Sequence, residues 1–228
     1  MKTILLLKTL ENYPVFTESD VAKLENKNQP YARTLLYRLQ KKGYIKRIER
    51  GKYTCHNDLM IVASYILTPS YISLWSAFKY YNLTQQQPQT ISIISKKPHK
   101  DIIINNTKIK FNVTKHFFGY KKERYRDFDI FVAEKEKAII DALLFKMPIQ
   151  DIAESIIDES INYKKLVAYA KKTENHSLIK RLGYILQNKK GGSYGLKAFD
   201  NNYILLDYFH KKIGKKNKEW KLIVNNKL

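Results

Sequence analysis

The sequence predicts an α+β fold, and three observations predict it. Ala32, Leu35, Leu36 and Leu39 recur at helical spacing and are followed by a glycine stop and short apolar-polar runs. From Thr90 to Val132 the apolar period changes to two, the spacing of strands. From Glu134 onward helical spacing returns. Strands grouped together and then helices, rather than the two alternating, is the α+β pattern, with antiparallel strands expected in the C-terminal part.

Taken in order, Thr3 to Glu11 reads as a first helix with Ile4, Leu7 and Leu10 or its neighbours inward. Thr17 is placed to cap a second helix, and Asp20 three residues on completes a capping-box pattern. Val21, Ala22 and Leu24 supply its short buried face. Asn28 caps a third helix, with Pro30 in the first turn, where a missing N–H costs nothing. Behind the apolar stripe of this helix, the opposite face carries Tyr31, Arg33, Thr34, Tyr37, Arg38 and Lys41. Gly43 stands where a left-handed residue ends a helix. Tyr44 and Ile45 open a strand, Arg50-Gly51 turns, and Tyr53 sits in the returning strand. Three helices, the last with a basic and aromatic front, followed by a basic hairpin form the order of a winged helix-turn-helix, complete over residues 1–56.

Residues 57–228 then read as a mixed α+β domain. Asp58 to Leu67 and Ser73 to Tyr81 are two helices bridged by Thr68-Pro69-Ser70, with Ser73 or Ser70 capping the second. A polar loop, Gln85 to Pro88, precedes four to five mostly antiparallel strands. Four helical patterns follow: EKEKAIIDALLF, MPIQDIAESII, NYKKLVAYAKK and SLIKRLGYILQ. A glycine loop at Gly191-Gly192, a helix over much of Leu196 to Lys212 and a strand at Trp220 to Val224 complete the chain.

The net charge of +21 narrows the partners. Residues 1–60, 61–159 and 160–228 carry net charges of +6, +3 and +12. A lysine-heavy composition is one source of such charge, but polarisation toward both ends fits a surface for polyanions better. One cysteine, Cys55, excludes a disulfide framework or zinc ribbon within one chain. The apolar run in MKTILLLKTL is too short for a signal peptide and is broken by Lys8. No stretch approaches the ~20 apolar residues of a membrane span, so a cytoplasmic protein is expected.

The hairpin and third helix are where the charge acquires a use. A recognition helix fits the major groove and meets base edges near its N-terminus. Asn28 and Gln29 suit adenine, Arg33 and Arg38 suit guanine, and Thr34 and Tyr37 suit phosphate or thymine methyl contacts. Tyr31 and Lys41 share the exposed face, while Arg47, Arg50 and Lys52 would reach the backbone or minor groove from the hairpin. The rival reading is an ordinary solvated helix face. One winged helix acting alone and two copies meeting on an inverted repeat are both open arrangements.

Catalytic, metal and cofactor sites find little support. Asp127-Phe128-Asp129 is a DxD of the kind that holds metal in nucleotidyltransferases, but a Gly-Ser helix start should precede it. The sole Gly-Ser, Gly192-Ser193, comes far later, so solvated aspartates at a strand start are the plainer reading. The five histidines show no metal-ligand spacing, and Gly191 to Gly195 lacks the P-loop lysine. No catalytic residue, metal or cofactor is therefore expected. A basic cluster, Lys211-Lys212 with Lys215-Lys216-Lys218, reads as a solvated helix end, a second nucleic-acid contact or a dock for an acidic or RNA-bound partner.

Several stretches together resemble one family, the AbiEi-type antitoxins of type IV toxin–antitoxin systems. They are PYARTLLYRLQKKGYIKRIERGKYT, PSYISLWSAFKYYNL, EKEKAIIDALLF, and LVAYAKKTENHSLIKRLGYIL with the terminal EWKLIVNNKL, in the family's order. Ser76-Ala77-Phe78 departs from the family's Ser-Ala-Leu, and Asn82 stands where it has glycine. The resemblance implies a winged helix that represses its own operon by binding its promoter DNA. It also implies a C-terminal domain that counters a nucleotidyltransferase-like toxin without a stable complex. A nucleic-acid-modifying or nucleotidyl-transferring enzyme targeted by a winged helix, and a solitary DNA-binding regulator, are the competing expectations.

Overall fold

The computed structural model describes residues 3–228, and among these it has nine helices and three sheets, a mixed α+β architecture. The chain forms two compact units. The first runs through Tyr71 and adds residues 89–114 and 122–131; the second comprises residues 72–88, 115–121 and 132–228.

The first unit begins with α1 (Thr3–Leu10), β1 (Phe16–Thr17), α2 (Glu18–Glu25), α3 (Gln29–Lys41), β2 (Lys46–Glu49) and β3 (Lys52–Thr54). Both caps form as the sequence indicates. Thr17 and Asp20 exchange capping-box hydrogen bonds, and Asn28 Oδ1 accepts the Tyr31 N–H at 3.0 Å. Each cap contributes about 1 kcal/mol to its helix. Helix α3 closes in a Schellman motif: Tyr44 N–H donates to Leu39 O and Gly43 N–H to Gln40 O, with Gly43 at φ +76°. That wrap carries the chain through Tyr44 and Ile45 before pairing starts. The strand therefore opens at Lys46 rather than Tyr44, while Ile45 is buried. Leu6, Leu10, Phe16, Val21, Ala32, Leu36, Leu39, Ile45 and Tyr53 pack into one core. The buried residues of α1 are thus Leu6 and Leu10, four apart on one face, with Leu7 partly buried against the same core, and Ile4 is 72% exposed. The sheet order is β1-β3-β2, antiparallel throughout, with Phe16 and Arg47 both opposite Tyr53. Strand β1 is only two residues long, too short to show a period.

Beyond the hairpin, Asp58 caps α4 (Leu59–Ile66) by accepting the Met60 N–H at 3.0 Å. Helix α5 (Leu74–Tyr80) begins after Ser73. Between these helices lies a strand that the sequence pattern did not disclose, β4 (Ser70–Ile72), all three residues of which are buried. The period-two region becomes β5 (Thr90–Ser95), β6 (Ile102–Ile104), β7 (Thr107–Val113), β8 (Tyr120–Tyr125) and β9 (Phe128–Ala133). The sheet order is β6-β7-β5-β4-β9-β8.

Where mostly antiparallel strands were expected, the sheet is mixed. Strands β5 and β7 run parallel from Thr90 opposite Lys108 to Ser95 opposite Val113, and β4 and β9 are parallel at Ile72 and Val132. Strands β6 and β7 do make an antiparallel hairpin, around Asn105-Asn106 at φ 48° and 64°. Alternation of apolar and polar residues is the same for either strand direction, so the sequence pattern identified strands but not their sense.

The second unit continues with α6 (Lys135–Leu144), α7 (Ile149–Ile157), α8 (Tyr163–Lys172) and α9 (His176–Lys190). The helix expected over Leu196 to Lys212 does not form. That segment is irregular except for β10 (Ile204–Leu205), which pairs parallel with β12 (Leu222–Val224). Its carbonyls are satisfied from elsewhere: Arg181 Nη2 donates to Leu205 O at 2.6 Å, and Asn225 Nδ2 donates to Asp207 O at 2.8 Å. The basic cluster consequently lies on and beside a strand, β11 (Lys215–Asn217), not at a helix end. Trp220 packs over α9 at Gly183, where a Cβ would fall 2.0 Å from the indole ring. No helix of the described residues is long and apolar enough to cross a membrane.

Candidate nucleic-acid interface

Helix α3 presents three faces. Ala32, Leu36 and Leu39 are buried against the core. Gln29, Arg33, Tyr37 and Gln40, spaced by four, four and three residues, share the side that looks toward the hairpin. With Thr17, Glu18 and Ser19 at the start of α2, and with Arg47, Arg50 and Gly51, they line an open groove of about 690 Å³. Tyr31, Thr34 and Arg38 occupy the adjoining side with Pro30 and Leu35, around a smaller depression of about 390 Å³.

The structure therefore divides the residues singled out in the sequence. Gln29, Arg33, Tyr37, Arg47 and Arg50 are brought together in the groove. Tyr31, Thr34 and Arg38 lie beside it, and Thr34 Oγ donates to Pro30 O at 3.1 Å. Lys41 is exposed at the helix end and lines neither concavity. Asn28 is exposed and uses its side-chain oxygen as the helix cap, which leaves its amide N–H groups as its remaining donors. Lys52 is engaged internally: its ammonium lies 2.9 Å from Glu49 Oε1 and 2.6 Å from Ile66 O. Arg47 Nε donates to Glu49 O at 3.2 Å, which braces the hairpin while the rest of the guanidinium remains exposed.

The groove also holds residues that the sequence pattern did not single out. Gln40 could have been found by extending the Gln29, Arg33, Tyr37 progression by one turn. Glu18 carried no local signal, since its partner is fifteen residues away. Arg33 Nε and Nη2 lie 3.1 and 3.0 Å from Glu18 Oε2, and this hydrogen-bonded carboxylate raises the guanidinium pKa above its ordinary value. The groove is thus a basic concavity with one acidic residue on its rim.

The carboxylates of the DxD lie outside this groove. Asp127 is in the turn before β9, and Asp129 is paired with Lys122 at 2.7 Å and Arg124 at 3.5 Å. The Lys122 hydrogen bond holds the Asp129 carboxyl below its usual range. Among the described residues no cluster of three or more His, Cys, Asp or Glu side chains is arranged to hold a metal ion.

A second site-like cluster lies in the second unit. Lys137 and Asp141, one turn apart on α6, form a fully buried ion pair, and Asp141 Oδ2 accepts the Ser73 hydroxyl at 2.8 Å. Lys137 also lies over the Phe118 ring, 5.0 Å from its centroid. Burial lowers the Lys137 pKa despite the opposing pull of Asp141.

No protein-family model matches the chain, and no curated protein matches it.

Proposed function

We propose that residues 1–56 are a winged helix-turn-helix that reads double-stranded DNA, and that the protein is a cytoplasmic, non-enzymatic repressor of its own promoter acting as an AbiEi-type antitoxin. In this reading residues 57–228 counter a nucleotidyltransferase-like toxin without a lasting complex. The observation that carries the DNA-binding part is the groove. A capped helix presents Gln29, Arg33 and Tyr37 from its N-terminal end onward, and a hairpin presents Arg47 and Arg50 on the facing side. An α-helix with its side chains is about 10–12 Å across, and the major groove is about 12 Å wide. Arginine at base edges and at flanking phosphates is the chemistry such a duplex site requires.

The antitoxin part rests on the resemblance, and one packing detail supports it. Ser73 belongs to the PSYISLWSAF stretch, and Lys137 and Asp141 belong to EKEKAIIDALLF. Two of the stretches that carry the resemblance therefore meet in a buried ion-paired cluster, as expected if they define a shared interior.

The test is a gel shift of the full-length protein on DNA from upstream of its own gene against scrambled DNA, beside an Arg33→Ala/Arg38→Ala variant. The reading expects the upstream DNA to be preferred by ~10³-fold or more and to survive competitor. The variant should lose that preference. Equal binding to both DNAs, collapsing with salt, would leave charge alone as the cause and sink the repressor reading.

A further inference from the structure

The hairpin has a basic neighbour that the α3 groove does not include. The connection from β5 to β6 begins Lys96-Lys97-Pro98-His99-Lys100 and holds three lysines, while its one acidic residue, Asp101, is paired with Lys108 at 2.8 Å. It is pinned to the hairpin at one point, where His99 Nε2 lies 3.3 Å from Glu49 Oε2 on β2. The same imidazole packs on Phe111 with centroids 4.4 Å apart, and its Nδ1 lies 2.8 Å from Lys100 O. At the other end Ser95 Oγ donates to Lys97 O at 2.7 Å. The backbone of the loop is thus held on both sides of Pro98, and Lys97 and Lys100 are exposed. Neither is among the described ion pairs, and the Glu49 carboxylate between loop and hairpin already has His99 and Lys52 as partners.

We propose that loop 96–100 is a second phosphate-contacting element, which extends the duplex interface past the hairpin through Lys97 and Lys100. The proposal rests on the reading of residues 1–56 as a reader of double-stranded DNA. The Cα atoms of Lys97 and Lys100 lie no more than about 8 and 4 Å from that of His99, so both ammonium groups start beside the hairpin edge. Lysine is a compact, strongly hydrated point charge on a flexible stem, suited to phosphate and carrying little base discrimination. A duplex offers one phosphate charge per about 1.7 Å of its axis, so a footprint widened on one side meets phosphates without any sequence requirement. The loop adds affinity and leaves base choice to α3.

The experiment is a salt titration of binding to the upstream duplex and to a scrambled duplex, between ~50 and ~200 mM salt. It compares wild type, Lys97→Ala/Lys100→Ala, Lys97→Arg/Lys100→Arg, and a Lys164→Ala/Lys171→Ala control of equal net charge. Two lost phosphate contacts lower the steepness of log K against log salt by about 1.8. That fall is expected on both DNAs, in the first variant only, with the preference for upstream DNA unchanged. An unaltered slope in Lys97→Ala/Lys100→Ala, or an equal fall in the control, would overturn the proposal while the DNA-reading function stood. Failure of wild type to bind either duplex would overturn both.

Discussion

Arg33 of α3 and Glu18 of α2 form a forked ion pair across the rim of the groove, with the guanidinium Nε and Nη2 3.1 and 3.0 Å from one carboxylate oxygen. The residue best suited to take a guanine or a phosphate is therefore held by an internal anion until something displaces it. Glu18 also occupies the first turn of α2, where free N–H groups would otherwise favour a phosphate.

Substituting Glu18→Gln removes that anion and releases Arg33. Binding to scrambled duplex should tighten by roughly fivefold, the factor that one unit charge about 4 Å from a phosphate makes in water. Binding to upstream DNA should gain less, so discrimination should narrow. Fluorescence anisotropy on both duplexes checks this. Weaker binding to both would mean that Glu18 orients Arg33 instead of restraining it.

Acid should weaken the second unit through Glu134. Burial pushes this carboxyl up, but hydrogen bonds from Lys165 at 2.7 Å and from the Tyr169 hydroxyl outweigh it, so the net shift is downward. A carboxylate with a lowered folded-state pKa contributes stability above its unfolded value, and loses it as pH falls through the folded value. Urea midpoints measured from neutral pH down through the carboxylate range should fall less steeply for Glu134→Gln than for wild type. Parallel curves would contradict the assignment.

Two glycines should respond to alanine by different mechanisms and different amounts. Gly43 sits at φ +76° with nothing within 4 Å of where a Cβ would stand, so Gly43→Ala meets only the left-handed backbone penalty, about 1–2 kcal/mol. Gly183 lies under the Trp220 ring, where a Cβ would meet carbons at 2.0 Å. Gly183→Ala must displace the indole, and overpacking of this kind costs about 1–3 kcal/mol or more. Thermal melts should show the larger loss for Gly183→Ala, with near-ultraviolet circular dichroism changing for that variant alone as Trp220 moves.

Cys55 should be a slow thiol. Burial, the largest influence, raises its pKa from 9.0 to about 11. Two pKa units leave about 100-fold less thiolate at neutral pH, and the thiolate is the species that alkylates. Iodoacetamide labelling of the folded protein should run well below the rate in urea, because the loss of thiolate outweighs the greater nucleophilicity of a more basic thiolate. Equal rates would mean that the thiol is exposed.

Much of the first unit was legible because its signals are local. Thr17 with Asp20 and Asn28 with Tyr31 act over three residues, and Gly43 ends α3 through bonds back to the last turn. The stripe Ala32, Leu36 and Leu39 is read directly from helical spacing and is buried as that spacing requires. In the candidate site, the same spacing identified Arg33 and Tyr37 but gave Arg38 and Thr34 equal standing, since an exposed face has no marker for which side meets the hairpin. Lys52 looked like a free cation because nothing in its neighbours announces that Ile66 O will lie 2.6 Å from its ammonium.

What the sequence by itself determined is the order of most helices and strands, the caps of α2 and α3, the glycine stop of α3, and the basic character of α3 and the hairpin. All of these depend on residues within about one turn or one strand of each other. Tertiary structure alone decided the parallel pairing of β5 with β7, the irregular path around β10 where a helix was expected, and the pairs Arg33–Glu18, His99–Glu49 and Ser73–Asp141. Each of those depends on which surfaces meet when separate elements pack. Hydrophobic periodicity sets which face turns inward, whereas the partner found there depends on how the whole chain folds back.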